Sequence, residues 1–223
     1  MSKTVFDKVK GFDGRMYWRG REGEHTEYRR VCAGLSFPVY APPVLPGWIA
    51  VLGEERNPRE DGRHHIVVLH EWCGLDDVLR SPLTAQELMA EAAAAVSLWR
   101  CPVWLSPLEQ PDCSLLPLFN RLQSRSSPRL SLRTPPRWGK DAFFVYDRLC
   151  EARTEREKTL HFGKSGARLA DAYGRLQAVD RIRPLPEFPA VAALLYALAW
   201  LDLTVWDGER RESGGHMTTR AGY

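Results

Sequence analysis

The sequence predicts an α/β fold, a mixed sheet flanked by helices and preceded by an extended N-terminal arm. Three observations carry that reading. The runs 48–52 and 64–72 have the apolar, β-branched character of buried strands. A capped helix from Thr84 leads directly into a third apolar run, Val103-Trp104-Leu105. Finally, the stretch from Pro189 to Trp200 is apolar on nearly every side, which suits a helix enclosed by the core.

Taken in order, residues 1–46 read as the arm and its link. Arg15, Arg19, Arg21, Arg29 and Arg30 alternate with Tyr17, Trp18 and Tyr28, and Pro38, Pro42, Pro43 and Pro46 close the stretch. This predicts a short hairpin near Gly20 and Gly23 followed by a proline-stiffened connection. Trp48 to Leu52 and His64 to Trp72 then predict an antiparallel pair, joined by a long bend carrying the turn formers Asn57-Pro58 and Asp61-Gly62. Thr84-Ala85-Gln86-Glu87 is a capping box, and Leu88, Ala92, Ala95 and Trp99 follow at helical spacing until Pro102 stops the helix. Further helices are predicted at 115–122 and 141–154, with strands at 130–132 and 159–162. Ser165 is placed as the cap of a helix ending near Leu176. The domain proper spans 47–207, and the charged, Gly-rich residues 208–223 form a frayed tail.

Composition narrows the class. With 44% apolar and 26% charged residues the 223-residue chain has globular composition. Five scattered cysteines without a CxxC point to a reducing compartment. The N-terminus has no apolar signal-peptide core, and the longest uncharged apolar run is shorter than the roughly 20 residues of a membrane span. A cytoplasmic protein with no membrane partner is the expectation.

Several chemistries fall away. His64, His65, His70 and Cys73 invite a zinc site, but alternation along a strand puts His64 and His70 on one face and His65 and Cys73 on the other. Gly163-Lys164-Ser165 resembles the end of a phosphate loop, yet Lys158 stands where its first glycine is required. No Gly-x-Ser-x-Gly turn is present.

Charge is more informative. Arg121, Arg125, Arg129, Arg133, Arg137 and Lys140 lie in a window with no Asp or Glu, so it carries +6 while the whole chain carries only +3. Pro128, Pro135 and Pro136 keep much of it out of helix. Clustered guanidinium groups on an extended segment suit a phosphate backbone, and Trp138 offers a stacking face. DNA contact through Arg125, Arg129, Arg133, Arg137 and Lys140 is therefore favoured over a solvated loop that touches nothing. Glu54, Glu55, Glu109, Asp112 and Asp202 fall near predicted element ends, and two-metal phosphodiester chemistry needs several such carboxylates to converge on Mg²⁺.

The element order over about Gly47 to Trp206 resembles the RNase H-like class, and in particular the C-terminal nuclease domain of phage terminase large subunits. The matching phrases are His70-Glu71-Trp72-Cys73-Gly74 after the second strand, the basic Arg137-Trp138-Gly139-Lys140-Asp141, and Ala192-Ala193-Leu194-Leu195-Tyr196-Ala197 in the closing helix. The resemblance implies a metal-dependent nuclease, but the family's metal-binding aspartates fall on Ala192 and near Ser106. Only Glu54 offers a carboxylate, close to the third position. One carboxylate cannot hold two magnesium ions. No Walker A sequence is present, so the ATPase half of a terminase is missing.

Three functions follow as expectations. The first is a catalytically silent domain that binds nucleic acid or serves phage DNA packaging and assembly, without catalytic or metal-binding residues or a cofactor. The second is an active Mg²⁺-dependent nuclease using Glu54, Glu109 or Asp112, and Asp202. The third is a module that binds a protein partner through the aromatic arm Met16 to Tyr28.

Overall fold

The computed structural model describes residues 6–20, 27–39, 42–75, 81–84, 87–88, 90–91, 103–105, 131–133, 142–180 and 183–203. The sheet begins earlier than the sequence suggests. β1 (Phe6–Lys10) and β2 (Met16–Gly20) form an antiparallel hairpin. β2 then pairs with β3 (Glu27–Ser36), the central strand of the sheet. The expected arm is thus largely sheet, and the boundary at residue 47 is corrected. From Tyr28 onward every residue of β3 is buried, so the strand lacks the alternation that marks a half-exposed one. Its two arginines gave it the look of a solvated segment.

β4 (Trp48–Glu55) and β5 (Ile66–Cys73) continue the sheet in antiparallel fashion, as predicted. β6 (Val103–Leu105) lies parallel to the second half of β3, pairing Ala33 with Trp104, and β7 (Ser131–Arg133) lies parallel to β6. One edge of β3 is therefore shared, with β2 on its first half and β6 on its second. β8 (Leu160–His161) pairs with the opposite side of the sheet, parallel to β5.

Thr84 and Glu87 form the predicted capping box. Glu87 N–H donates to Thr84 Oγ1 (3.3 Å), and Thr84 N–H donates to Glu87 Oε2 (2.8 Å). Glu87, Leu88, Ala90 and Glu91 are helical; the predicted helix at 115–122, the tail after 207 and most of the basic window lie outside the described residues.

α1 (Ala142–Glu151) runs on into a π-helical turn, Ala152–Arg156. A 3₁₀ turn at Lys164–Gly166 leads into α2 (Ala167–Gly174). Ser165 is not its cap. Glu71 does that work from β5, accepting from the backbone N–H groups of Arg168 (3.2 Å) and Leu169 (2.8 Å). A carboxylate there also meets the positive end of the helix dipole. α1 and α2 are tied by Tyr173, whose hydroxyl donates to Asp147 Oδ1 at 2.9 Å.

α3 (Pro189–Leu203) lies across β3 and β4, with α1 and α2 packed against its other sides. That enclosure explains its all-round apolar sequence: Val191 to Ala199 are all buried. Burying each of its leucines contributes about 1.5–3 kcal/mol. Tyr196 meets Tyr146 of α1 edge-on, with ring centroids 6.3 Å apart. Among the described residues no helix is long and apolar enough to cross a membrane.

The helix reaches the sheet closely because of Gly34. A Cβ built there would stand 1.9 Å from the carbonyl oxygen of Ala193, which is backbone and cannot swing aside. Gly34→Ala is expected to lift α3 from β3 and cost about 1–3 kcal/mol, the range for an overpacked core. A lowered midpoint in urea denaturation is the check, and an unchanged midpoint would refute the close approach.

Candidate functional site

In sheets with parallel strands, ligands gather outside the carboxyl ends of those strands. Here β3, β6 and β7 are mutually parallel neighbours, and the edge they share ends in Ser36, Leu105 and Arg133. The N-terminal end of α3 closes over the same edge. Ser36 Oγ donates to the carbonyl of Pro189 at 2.5 Å and accepts from Trp48 N–H at 3.3 Å. Ala192 and Ala193 follow on the helix, opposite Gly34.

Among the described residues, this corner offers magnesium no ligand set. Mg²⁺ binds through carboxylates and phosphates in near-octahedral geometry, whereas Ser36, Ala192 and Ala193 offer one engaged hydroxyl and two methyl groups. Among the described residues no cluster of three His, Cys, Asp or Glu side chains is placed to hold a metal ion. Ser106, Glu109 and Asp112 lie outside the described residues.

Glu54 stands at the other end of the sheet. α3 runs antiparallel to β3, so Ser36 meets Pro189, Cys32 meets Ala197 and Arg30 meets Leu201. Glu54 pairs with Arg30 in the register of β3 and β4, nine helix residues from Ala192. At 1.5 Å per residue that is about 13 Å. Glu54 and Ala192 therefore do not share a pocket. On sequence alone β4 stands as the first strand of the fold; β3 occupies that place, so the end of the first strand is Ser36.

What Glu54 does is structural. It is 3% exposed and lies in two arginine forks. Arg29 donates through Nε at 2.8 Å and Nη2 at 3.0 Å, and Arg30 through Nε at 2.5 Å and Nη2 at 2.9 Å. Burial acts to raise its pKa, but the hydrogen bonds and charges of Arg30 and Arg29 outweigh it and hold the carboxyl below its ordinary value. Successive strand residues normally face opposite ways, and a register shift between Tyr28 and Arg30 lets both arginines reach one carboxylate. Asp202, the other relocated-ligand candidate, is close enough to Glu54 to feel its charge. It is engaged by Arg153 through Nη2 (2.5 Å) and Nε (3.2 Å), while burial raises its pKa. Two carboxylates thus face three guanidinium groups, a balance that repels a divalent cation rather than attracting one. The remaining expected carboxylate, Glu55, is held by Arg59.

The histidines separate as alternation requires. His64 Nδ1 bonds the carbonyl of Glu55 at 3.0 Å, while His65 turns toward Asp61 and His161. Burial lowers the pKa of His70 and raises that of Cys73. His161 had no sequence signal, since it lies ninety-six residues from its partner. In the basic window, the backbone of Arg133 ends β7 at the carboxyl edge, opposite Leu105. Arg125, Arg129, Arg137 and Lys140 lie outside the described residues.

The strand order β5-β4-β3-β6-β7, three antiparallel strands and then two parallel to β3, with α3 laid across them, defines an α/β fold of the RNase H-like class. Among solved structures, the yeast mitochondrial Holliday junction resolvase Ydc2 is similar at 12% identity and a TM-score of 0.41, over 83% of this chain and 84% of that one. No protein-family model matches the chain, and no curated protein does.

Removing the shared carboxylate leaves two buried guanidinium groups without it. Glu54→Ala is expected to destabilise the fold by about 3–5 kcal/mol, read from urea denaturation. In the wild type the depressed pKa of Glu54 means this contribution is complete above the ordinary carboxylate range. It is lost as pH falls through the lower folded value.

Proposed function

We propose that this chain is a catalytically silent RNase H-like domain that binds nucleic acid through its 121–140 segment. Its proposed setting is phage DNA packaging or assembly in the cytoplasm, as a terminase-nuclease-like part without the cleavage chemistry. The observation that carries the reading is Ser36. It stands at the carboxyl end of the central strand with its hydroxyl engaged by Pro189 and Trp48, where a nuclease of this fold needs an acidic group. The carboxylates offered as substitutes, Glu54 and Asp202, lie at the far end in arginine pairs. The basic segment supports the binding half, because β7 brings the backbone of Arg133 to the carboxyl edge of the parallel strands.

One observation favours a second reading, docking of a protein partner on the N-terminal hairpin. Phe12 is fully exposed at its tip, at 111%, and Met16 is exposed beside it. Asp13 braces that tip by accepting from Tyr17 Oη and from Arg15 N–H.

Fluorescence anisotropy with a labelled DNA duplex at several salt concentrations tests the first reading. Arg129, Arg133 and Arg137 changed together to Ala are expected to weaken binding, and to flatten the slope of log K against log salt by about 2.7, three phosphates at 0.9 each. Unchanged binding in the triple variant removes the interface. Incubation of plasmid DNA with Mg²⁺ is expected to give no cleavage. Cleavage that disappears in a folded Asp202→Asn variant would establish the relocated-ligand nuclease instead. Binding to protein and not to DNA, abolished by Phe12→Ser, would promote the hairpin reading.

A further inference from the structure

Asp61, His65 and His161 form a hydrogen-bonded chain that the proposed nucleic-acid interface does not use. His65 is 7% exposed. Its Nε2 lies 2.9 Å from Asp61 Oδ2, and its Nδ1 lies 2.6 Å from His161 Nε2. The ring planes are 10° apart and the centroids 4.9 Å apart. That separation equals the N···N distance plus the two ring radii, so the imidazoles lie edge to edge in nearly one plane, nitrogen aimed at nitrogen. A zinc ion bound tetrahedrally at 2.0–2.1 Å would hold two nitrogens roughly 3.3 Å apart and off a common line. The geometry fits a shared proton and not a shared metal.

The protons can be assigned. A carboxylate only accepts, so His65 carries its proton on Nε2 and gives it to Asp61. Neutral His65 then has a bare Nδ1, and His161 must donate from Nε2. Among the described residues Nδ1 of His161 has no hydrogen-bond partner. One further proton at that nitrogen leaves the N–H···N bond intact. A second, on His65 Nδ1, sets two N–H groups head to head at 2.6 Å and breaks it.

We propose that Asp61, His65 and His161 are an acid-sensitive clasp that fastens β8 to the edge of β5 and releases it when both imidazoles are protonated. β8 has only two residues in register, Leu160 opposite Ile66 and His161 opposite Val67; Leu160 is anchored in the core, and the clasp is the side-chain tie at His161. Thr159 is separately tied to Arg153, by its N–H to the Arg153 carbonyl (2.8 Å) and by its hydroxyl to Nη1 (3.1 Å). Release is therefore confined to about 160–163 and the facing edge of β5.

The charges facing the pair come from the β4–β5 bend and the end of β4. Arg59 opposes a proton on His161, Asp61 and Glu55 favour it, and Arg63 and Glu157 pair with each other beside them. Burial is the largest influence, and with Arg59 and His65 it lowers the pKa of His161 below its ordinary value. At His161 the unfolded chain therefore takes up its proton more readily than the folded one below about pH 6.5, and the contribution of that group to stability falls as pH drops from there toward the folded value.

Hydrogen exchange of the full chain at pH 7.5 and pH 5.0, corrected for intrinsic exchange rates, tests the clasp. In the wild type, protection at 160–163 is expected to fall at least about tenfold relative to amides of β3 and β4, the equivalent of one pKa unit. His161→Gln should lose less than about twofold, because an amide offers both a donor and an acceptor to His65. Asp61→Asn keeps the acceptor and removes the charge that favours protonation, so its acid transition must move to lower pH. Unchanged wild-type protection, equal loss in His161→Gln, or an unmoved transition in Asp61→Asn would each overturn the proposal. Should His161→Gln fail to fold, the Asp61→Asn shift decides alone.

Discussion

The molecule depends on how closely α3 lies against β3. Gly34 has no side chain, and the carbonyl of Ala193 occupies the space one would fill. That contact fixes the helix antiparallel to the strand, and each end of the pair acquires its own chemistry. At one end a serine hydroxyl meets the first carbonyl of the helix. At the other, Arg30 Nη2 donates to the carbonyl of Leu201 at 2.7 Å while its fork holds Glu54. The two ends cannot exchange roles, because the enclosed helix leaves no slack between them.

This separation explains why sequence reasoning located the fold better than the site. The helix at 189–203 was legible because its apolar residues leave no polar face, and the capping box because two side chains three apart carry the whole signal. β4, β5 and β6 were legible as apolar runs between turn formers. β3 was not. It is a buried strand whose first turn of sequence, Tyr28-Arg29-Arg30, looks solvated, and only the distant Glu54 makes those arginines a core feature. Missing it shifted every later strand by one place in the fold, and put Glu54 at the end of the first strand, where Ser36 stands.

The same reasoning accounts for the smaller errors. Ser165 has the chemistry of a helix cap, but Glu71 reaches the free amides of α2 from the sheet, ninety-seven residues away from Arg168. The sequence neighbours of His65 give no sign of its partner, because His161 sits on another strand. Local pattern reports local pairing, and long-range pairs of charged or polar groups have no periodicity to betray them.

The bulge at Tyr28–Arg30 has a consequence for assembly of the chain. By placing two cationic side chains against a single anion, it ties the alignment of β3 on β4 to electrostatics as well as to shape. A hairpin that zipped up one residue out of step would carry its guanidinium groups into an apolar interior with nothing to neutralise them, so the misaligned state is penalised. The pair of adjacent arginines works as a checkpoint on strand alignment, and their burial beside Glu54 needs no ligand to explain it.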